Sequence, residues 1–460
     1  MKKYVFTLFA LLFAGCGEIF TGYGGVLADY QNLYLSGECE SDFIDDLIKD
    51  GDDLILWNEL GGSLARDCEN YEKSNAYFDS AENLYKQNVD LEGAMHKSGA
   101  YAASFFTNDN ARDYQGNVYE AIMLNVYKGL NYMSLGDLAA ARVEFNRAID
   151  RQRRAKELFA EEIAAQKDYL SRQSYDTQSA VLNSQTQNII YSRYAGTVFS
   201  NFSAYANFTN PFATYMAGLF FAVSGDPKKG ADLLREASAM QPESSQIAED
   251  YELALAWSRG MGVNSNLNNG SAQNYNSNLK YIWLIYENGQ GMLKDELSFS
   301  VPIFLPNRKS FSMHLALPTL RWGASSYGAL TLNSRATQQV SSMDRVIVSE
   351  FKTKLPLIVT NALLRTVSRT SLQVAANEKE ASLVSLVVSL VSGSLNRADV
   401  RSWTSLPRDF QAARVKNEGE ITIVAGAQII RNFNVPKDKN VIIYVKSPAP
   451  GKYSLHEILF

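Results

Sequence analysis

The chain has 460 residues, a formal net charge of -5 and a sequence pI of about 5.5. That balance excludes the strong basic field that a nucleic-acid partner requires, and no Lys/Arg patch suited to a membrane surface stands out. Hydrophobic residues make up 46% and charged residues 20%, a globular composition with enough chain to bury a core without metals or disulfide staples, in roughly two to three domains.

Lys2 and Lys3 form a short positive region, and Tyr4 to Ala14 an apolar run too short for a bilayer, which takes about 20 residues to span. The small residues Ala14 and Gly15 then precede Cys16, and Leu12-Phe13-Ala14-Gly15-Cys16 resembles a lipobox. A signal peptidase cuts beside small side chains, and the Cys16 thiol can take a diacylglycerol group. Residues 1–15 are therefore expected to be a cleaved lipoprotein signal peptide, and 16–24 a lipid anchor and tether. The alternative is an ordinary signal peptide with a chance cysteine. Each acyl CH₂ buried in a membrane contributes about 0.8 kcal/mol. Gly17 follows the cysteine in place of the Asp of an inner-membrane retention signal, which favours the outer membrane. The later apolar run Leu383–Val391 is broken by Ser385 and Ser389 and reads as a buried helix, so the body is expected in the periplasm or at the cell surface.

Two other cysteines remain, Cys39 and Cys68. An oxidising compartment permits them to pair, which would contribute about 3 kcal/mol; the alternative is two buried free thiols. Glu38 to Asp53 is rich in carboxylates but lacks the spacing and terminal Glu of a calcium loop. It reads as solvated helix faces and helix N-termini around Phe43, Ile44, Leu47 and Ile48.

Three segments then share a spacing. Gly129, Tyr132, Gly136, Ala141, Phe145 and Ala148 form one copy, and Gly218, Phe221, Gly225, Gly230, Leu234 and Ala237, closed by Pro242, form a second. A weaker copy holds Trp57, Leu60, Gly61 and Leu64, then Ser74, Phe78 and Ala81, with one extra residue in its turn. These offsets match the small and aromatic positions of a tetratricopeptide repeat. Small residues let two helices approach, aromatics fill the space between them, and Gly136-Asp137 supplies a helix stop and the next N-cap. Such hairpins hide their apolar faces only by stacking. Residues 25–260 are expected to form this all-α hairpin stack, with a degenerate helix at Leu91–Phe106. Arg151–Asp176 extends as a long helix that returns through 178–200. Tyr132, Phe145, Tyr215 and Phe221 read as core rather than groove.

Residues 261–278, rich in Asn, Gly and Ser, read as a linker or long loop. From 279 to 460 the pattern predicts an α+β domain with a small, largely antiparallel sheet. Strands are expected at Tyr281–Tyr286, Leu297–Leu305, Ser312–Leu317, Ala329–Leu332, Glu420–Val424, Gln428–Phe433 and Asn440–Val445. Glu287 to Gly291 reads as a turn. Helices are expected at Asp344–Arg369, kinked near Pro356, and at Leu383–Leu395. The fold class is α+β overall, with a helical-hairpin stack first and a mixed domain second.

Catalytic constellations are sparse. His96, His314 and His456 are far apart, and no nucleophile elbow, Walker loop, dinucleotide fingerprint or zinc-helix motif occurs. No metal and no cofactor is expected. In Ala398-Asp399-Val400-Arg401-Ser402-Trp403, Arg401 and Trp403 read either as a ligand or partner contact or as a packed helix-to-strand junction.

The lipobox at Cys16, Tyr119-Glu120-Ala121-Ile122-Met123-Leu124-Asn125 with Gly136-Asp137, the Leu355-Pro356 helix, and Ala398 to Pro407 with Gln411 and Arg414 recur in one order. The combination resembles a family of uncharacterised bacterial lipoproteins with tetratricopeptide-like repeats. The resemblance implies an outer-membrane location and, through genes near small lipoproteins similar to activators of peptidoglycan synthases, a cell-envelope role. It implies no catalytic residues. The expectation is a non-enzymatic scaffold or adaptor, bound to the membrane by its lipid and offering a groove to a protein partner in the cell envelope. Two other readings stand beside it: a regulator of peptidoglycan synthesis or of a surface machine acting through the second half, and an enzyme with a site at the junction of the halves.

Overall fold

The computed structural model describes residues 17–39, 42–86, 113–205, 209–260, 279–304, 310–377 and 397–460. Cys16, Leu91–Phe106 with His96, the 261–278 segment and Leu383–Leu395 lie outside the described residues. The chain divides into two units between Glu38 and Cys39. The first holds helix α1 (Gly17–Ser36), in which the Tyr30 and Tyr34 rings stack at 5.9 Å, and Gly37, at φ 75°, follows its end.

The second unit begins with α2 (Asp42–Asp50), with Asp42 and Asp45 in its first turn and Lys49 in its last, where the helix dipole favours them. Three hairpins follow: α3 (Leu54–Asp67) with α4 (Tyr71–Tyr85), α5 (Val118–Ser134) with α6 (Leu138–Ser171), and, further on, α9 (Pro211–Val223) with α10 (Pro227–Met240). Their frames coincide. A glycine of the first helix faces a large side chain sixteen residues later: Gly62 against Phe78, Gly129 against Phe145 and Gly218 against Leu234. Seven residues after that glycine comes a left-handed residue: Glu69 (φ 59°), Gly136 (φ 77°) and Gly225 (φ 96°). The next residue caps the second helix, with Asn70, Asp137 and Asp226 accepting from the backbone N–H of Lys73, Ala140 and Lys229. The weak copy therefore has no extra turn residue. Its anchor is Gly62 rather than Gly61, and the turn was obscured because Glu69 takes the conformation that the other copies give to glycine.

Past the second hairpin α6 runs on to Ser171, and the shorter helices α7 (Tyr175–Val181) and α8 (Ser184–Tyr194) follow it in the chain. This arm rests on the second half: Gln166 Nε2 donates to the Leu357 carbonyl at 2.8 Å and Tyr194 Oη to that of Pro318 at 2.9 Å. After the third hairpin comes α11 (Ser245–Ser258).

The strands make an α+β layout of small, mostly antiparallel sheets, as the pattern predicts. They are β1 (Tyr281–Asn288), β2 (Leu293–Phe304), β3 (Ser310–Arg321), β4 (Leu330–Leu332), β5 (Arg335–Ala336), β6 (Gln338–Ser342), β7 (Asp409–Lys416), β8 (Glu420–Ala425), β9 (Gln428–Asn434), β10 (Val441–Ala449) and β11 (Lys452–Leu459). Between β6 and β7, α12 (Met343–Asn377) carries Pro356 within it. A five-stranded sheet runs β11-β10-β1-β7-β6, a four-stranded one β5-β4-β8-β9, and β2 and β3 form a ribbon. Among the described residues only β1 and β10 pair in parallel.

Every residue of β1 is buried because both its faces are covered. Ile282, Leu284 and Tyr286 share a core with Ile421 and Ile423 of the four-stranded sheet. Trp283 and Glu287, on the alternate positions, meet the helices. The order is thus helices, five-stranded sheet, four-stranded sheet.

Candidate functional site

The first helices of the hairpins all back onto the second half of the chain. Lys446 of β10 pairs with Asp67 of α3 at 3.2 Å, Tyr127 of α5 donates to Glu287 of β1 at 3.1 Å, and Phe212 of α9 stacks on Phe410 of β7 at 3.5 Å. The face that an open repeat array offers to a ligand is here an internal joint. Among the described residues, buried Asp53, Glu120, Asp250, Glu287, Arg401 and Arg414 lie along it.

Residues 397–403 run without regular secondary structure toward β7 and cross this joint. Arg401, 1% exposed, donates to Asp53 at 2.6 Å and grips Asp399 through Nε and an η nitrogen at 2.9 and 3.0 Å. Asp53 precedes α3 in a left-handed conformation, φ 51°, and also accepts the Tyr114 N–H at 2.6 Å. Trp403 lies against Phe78 and Tyr127; its indole N–H donates to Ser63 at 2.7 Å and its backbone N–H to Glu120 at 2.8 Å. Arg401 and Trp403, which the sequence leaves as a ligand or partner contact or a packed junction, are buried on this chain's own helices, because a guanidinium and an indole can satisfy several elements at once.

Glu120 is the third residue of α5. It accepts from the Asn117 backbone N–H in a capping box and from Tyr114 Oη at 2.6 Å as well as from Trp403. Two further N–H groups of that helix end, Val118 and Tyr119, donate to Glu350 of α12, each at 3.0 Å. Nearby Glu59 accepts from Tyr85 Oη at 2.7 Å; among the described residues its other oxygen has no hydrogen-bond partner. Burial, with the Glu120 charge beside it, pushes the Glu59 carboxyl well above the usual carboxylate range.

Toward the sheet, Glu287 accepts from Tyr127 and Tyr444 and faces Lys446 at 3.8 Å; burial raises its carboxyl above the ordinary value although Lys446 and Tyr444 oppose the shift. The sequence places Glu287 in a turn. The structure places it inside β1, where tyrosine hydroxyls supply the donors that a buried carboxylate needs. His456 is buried near Arg66 and Lys446, and burial together with those cations holds its imidazole down to about 3. Asp250 of α11 collects four donors: Tyr215 Oη, Trp283 Nε1, Gln246 Nε2 and Arg414 at 2.8, 3.0, 2.9 and 2.7 Å. On the flank between hairpins, Lys128 is 1% exposed among Asp79, Glu82 and Glu144.

Cys39 and Cys68 form a disulfide, with sulfurs 2.00 Å apart. His314 lies exposed on β3 of the two-stranded ribbon, and His456 lies on β11 of the five-stranded sheet. Among the described residues no three His, Cys, Asp or Glu side chains group as metal ligands. Phe145, Tyr215 and Phe221 are buried, and Tyr132 is partly buried.

Sequence reasoning missed Asp53, Glu120, Glu287 and Asp250. A signal existed for two of them. Glu120 stands in the run Tyr119–Leu124 and Glu287 at the end of Tyr281–Tyr286, each a carboxylate attached to an otherwise apolar element bound for the interior. No family model, curated protein or solved structure matches the chain.

Proposed function

We propose that the chain is a cell-envelope lipoprotein, anchored at the outer membrane through Cys16, that works as a non-enzymatic scaffold or adaptor for a protein partner. The observation that carries this reading is the joint itself. Buried Asp53, Asp250, Glu120, Glu287, Arg401 and Arg414 each bind groups from other elements of the same chain, which suits holding a rigid body rather than serving a substrate. With the inner wall occupied, a partner would meet the outer helices. The α5–α6 turn and α6 present Leu135, Leu138 and Val143 there, the last 46% exposed. The Cys39–Cys68 disulfide suits an oxidising compartment, and among the described residues no helix is long and apolar enough to cross a membrane.

Two measurements test the proposal in bacterial cells. Cys16→Ala is expected to lose the acyl mass and to leave the membrane fraction; unchanged mass and fractionation refute the anchor. A photocrosslinker at Val143 is expected to trap one defined envelope protein that a crosslinker at buried Phe145 does not. Equal capture at both positions, or none, removes the scaffold reading.

A further inference from the structure

An open cleft of about 530 Å³ lies between the α10–α11 turn and the β6–α12 junction. Its components come from segments distant in sequence, and together they suit one kind of ligand.

Arg345 lines the cleft on the α12 side. Its guanidinium lies 4.0 Å from the centroid of the Tyr205 ring, and Nε donates to the Ser203 carbonyl at 3.1 Å. Tyr205 is itself fixed, donating to Gln241 at 2.6 Å and accepting from the Ser342 N–H at 3.0 Å. The guanidinium plane is therefore set before any ligand arrives, and among the described residues no carboxylate pairs with it. Such a fork recognises carboxylates and phosphates through two parallel N–H bonds.

The opposite wall is the start of α11, a helix of 14 residues. Ser244 stands at its N-cap yet makes no capping hydrogen bond, and among the described residues its hydroxyl, in a residue 3% exposed, has no hydrogen-bond partner. Gln338 supplies what Ser244 does not: its Oε1 accepts from Ser245 Oγ at 2.8 Å and from the Gln246 N–H at 3.1 Å. The cleft thus holds a helix start whose Gln246 N–H is taken by Gln338, a preset cationic fork and a serine hydroxyl with no bond among the described residues. It also holds one carboxylate, the exposed Glu243. That charge disfavours a doubly charged phosphate and favours a ligand with a cationic group of its own.

We infer that this cleft binds a small zwitterion of the amino-acid or short-peptide class, its carboxylate on Arg345 and the start of α11, its ammonium on Glu243.

Isothermal titration of the whole chain with glycine, glycylglycine, acetate and inorganic phosphate at millimolar concentration tests this. Glycine or glycylglycine is expected to bind, acetate more weakly, and phosphate not at all. Arg345→Gln is expected to weaken the zwitterion about tenfold or more. Glu243→Gln should erase the preference over acetate. Ser244→Ala should weaken binding about threefold without lowering the melting temperature, since its hydroxyl makes no bond to lose; this variant decides the matter if Arg345→Gln fails to fold. No heat from any of the four compounds, binding of phosphate alone, or binding unchanged by both Ser244→Ala and Arg345→Gln overturns the inference.

Discussion

Arg401 and Asp53, 348 positions apart in the chain, form an ion pair at 2.6 Å in which each side chain is 1% exposed. The same guanidinium holds Asp399, so one planar group fastens residues 399–403 to the start of α3. Removing one partner of a buried pair leaves the other charged and dry. Arg401→Met is therefore expected to cost about 3–5 kcal/mol in urea unfolding. Arg401→Lys should recover little, because an ammonium cannot span both carboxylates in one plane. A variant as stable as the parent would show that the pair contributes nothing.

The hairpin turns give a matched pair of predictions. Glu69 is left-handed where the other copies have glycine, and its side chain is 65% exposed. Glu69→Gly should stabilise the protein by about 0.5–1 kcal/mol. Gly62→Ala should act the other way, since a Cβ there would sit 2.3 Å from the Phe78 ring; a loss of about 1–3 kcal/mol is expected. Thermal melts of the two variants moving in the same direction would contradict the shared frame.

Stability should also depend on pH through Asp344. Burial pushes its carboxyl from 3.8 up to about 7, against the Met292 N–H at 2.7 Å and Arg408 at 3.6 Å, which favour the charged form. The folded state then holds a proton that the unfolded chain releases near pH 4. Stability falls as pH rises from about 4 to about 7, by at most a few kcal/mol. Asp344→Asn keeps an acceptor for Met292 and should flatten that slope in part, Glu59 and Glu287 titrating in the same direction. Denaturation midpoints measured across this window decide it; an unchanged slope in the variant would refute the assignment. Glu82 acts oppositely: although burial alone would raise it, Lys128 holds it down to about 2, so its contribution is lost as pH falls from 4.5 through 2.

The Cys39–Cys68 bridge closes a span of 29 residues over α2 and α3. Reduction, or Cys39→Ser with Cys68→Ser, is expected to cost about 3–4 kcal/mol in the loop-entropy picture. A melting temperature indifferent to reductant would show that the reduced chain already keeps those ends together.

The hairpins were legible where glycine or proline marked a boundary. Gly136-Asp137 announces a helix stop and the next N-cap, and α6 begins there with Asp137 as its cap. The first hairpin was read one residue out of frame because Glu69 hides the same turn behind an ordinary side chain. β1, β8, β9 and β10 showed as aliphatic runs. β7 did not, since Asp409, Gln411 and Arg414 look solvent-facing until Asn288, Thr337 and Asp250 are brought to them by the fold. The joint was least visible of all. Its pairs link positions from 33 to 348 residues apart, and no local period records such a partner.

Because α3, α5, α9 and α11 are backed by one sheet and the segment that leads into it, the number of hairpins is tied to the width of that sheet. An open solenoid can gain or lose a unit at its end and keep its neighbours intact. Here a deletion would strip the cover from β10, β1 or β7, and an insertion would have no strand to rest on. Descendants of this fold are therefore free to vary in their loops and outer helices, while their repeat number stays fixed.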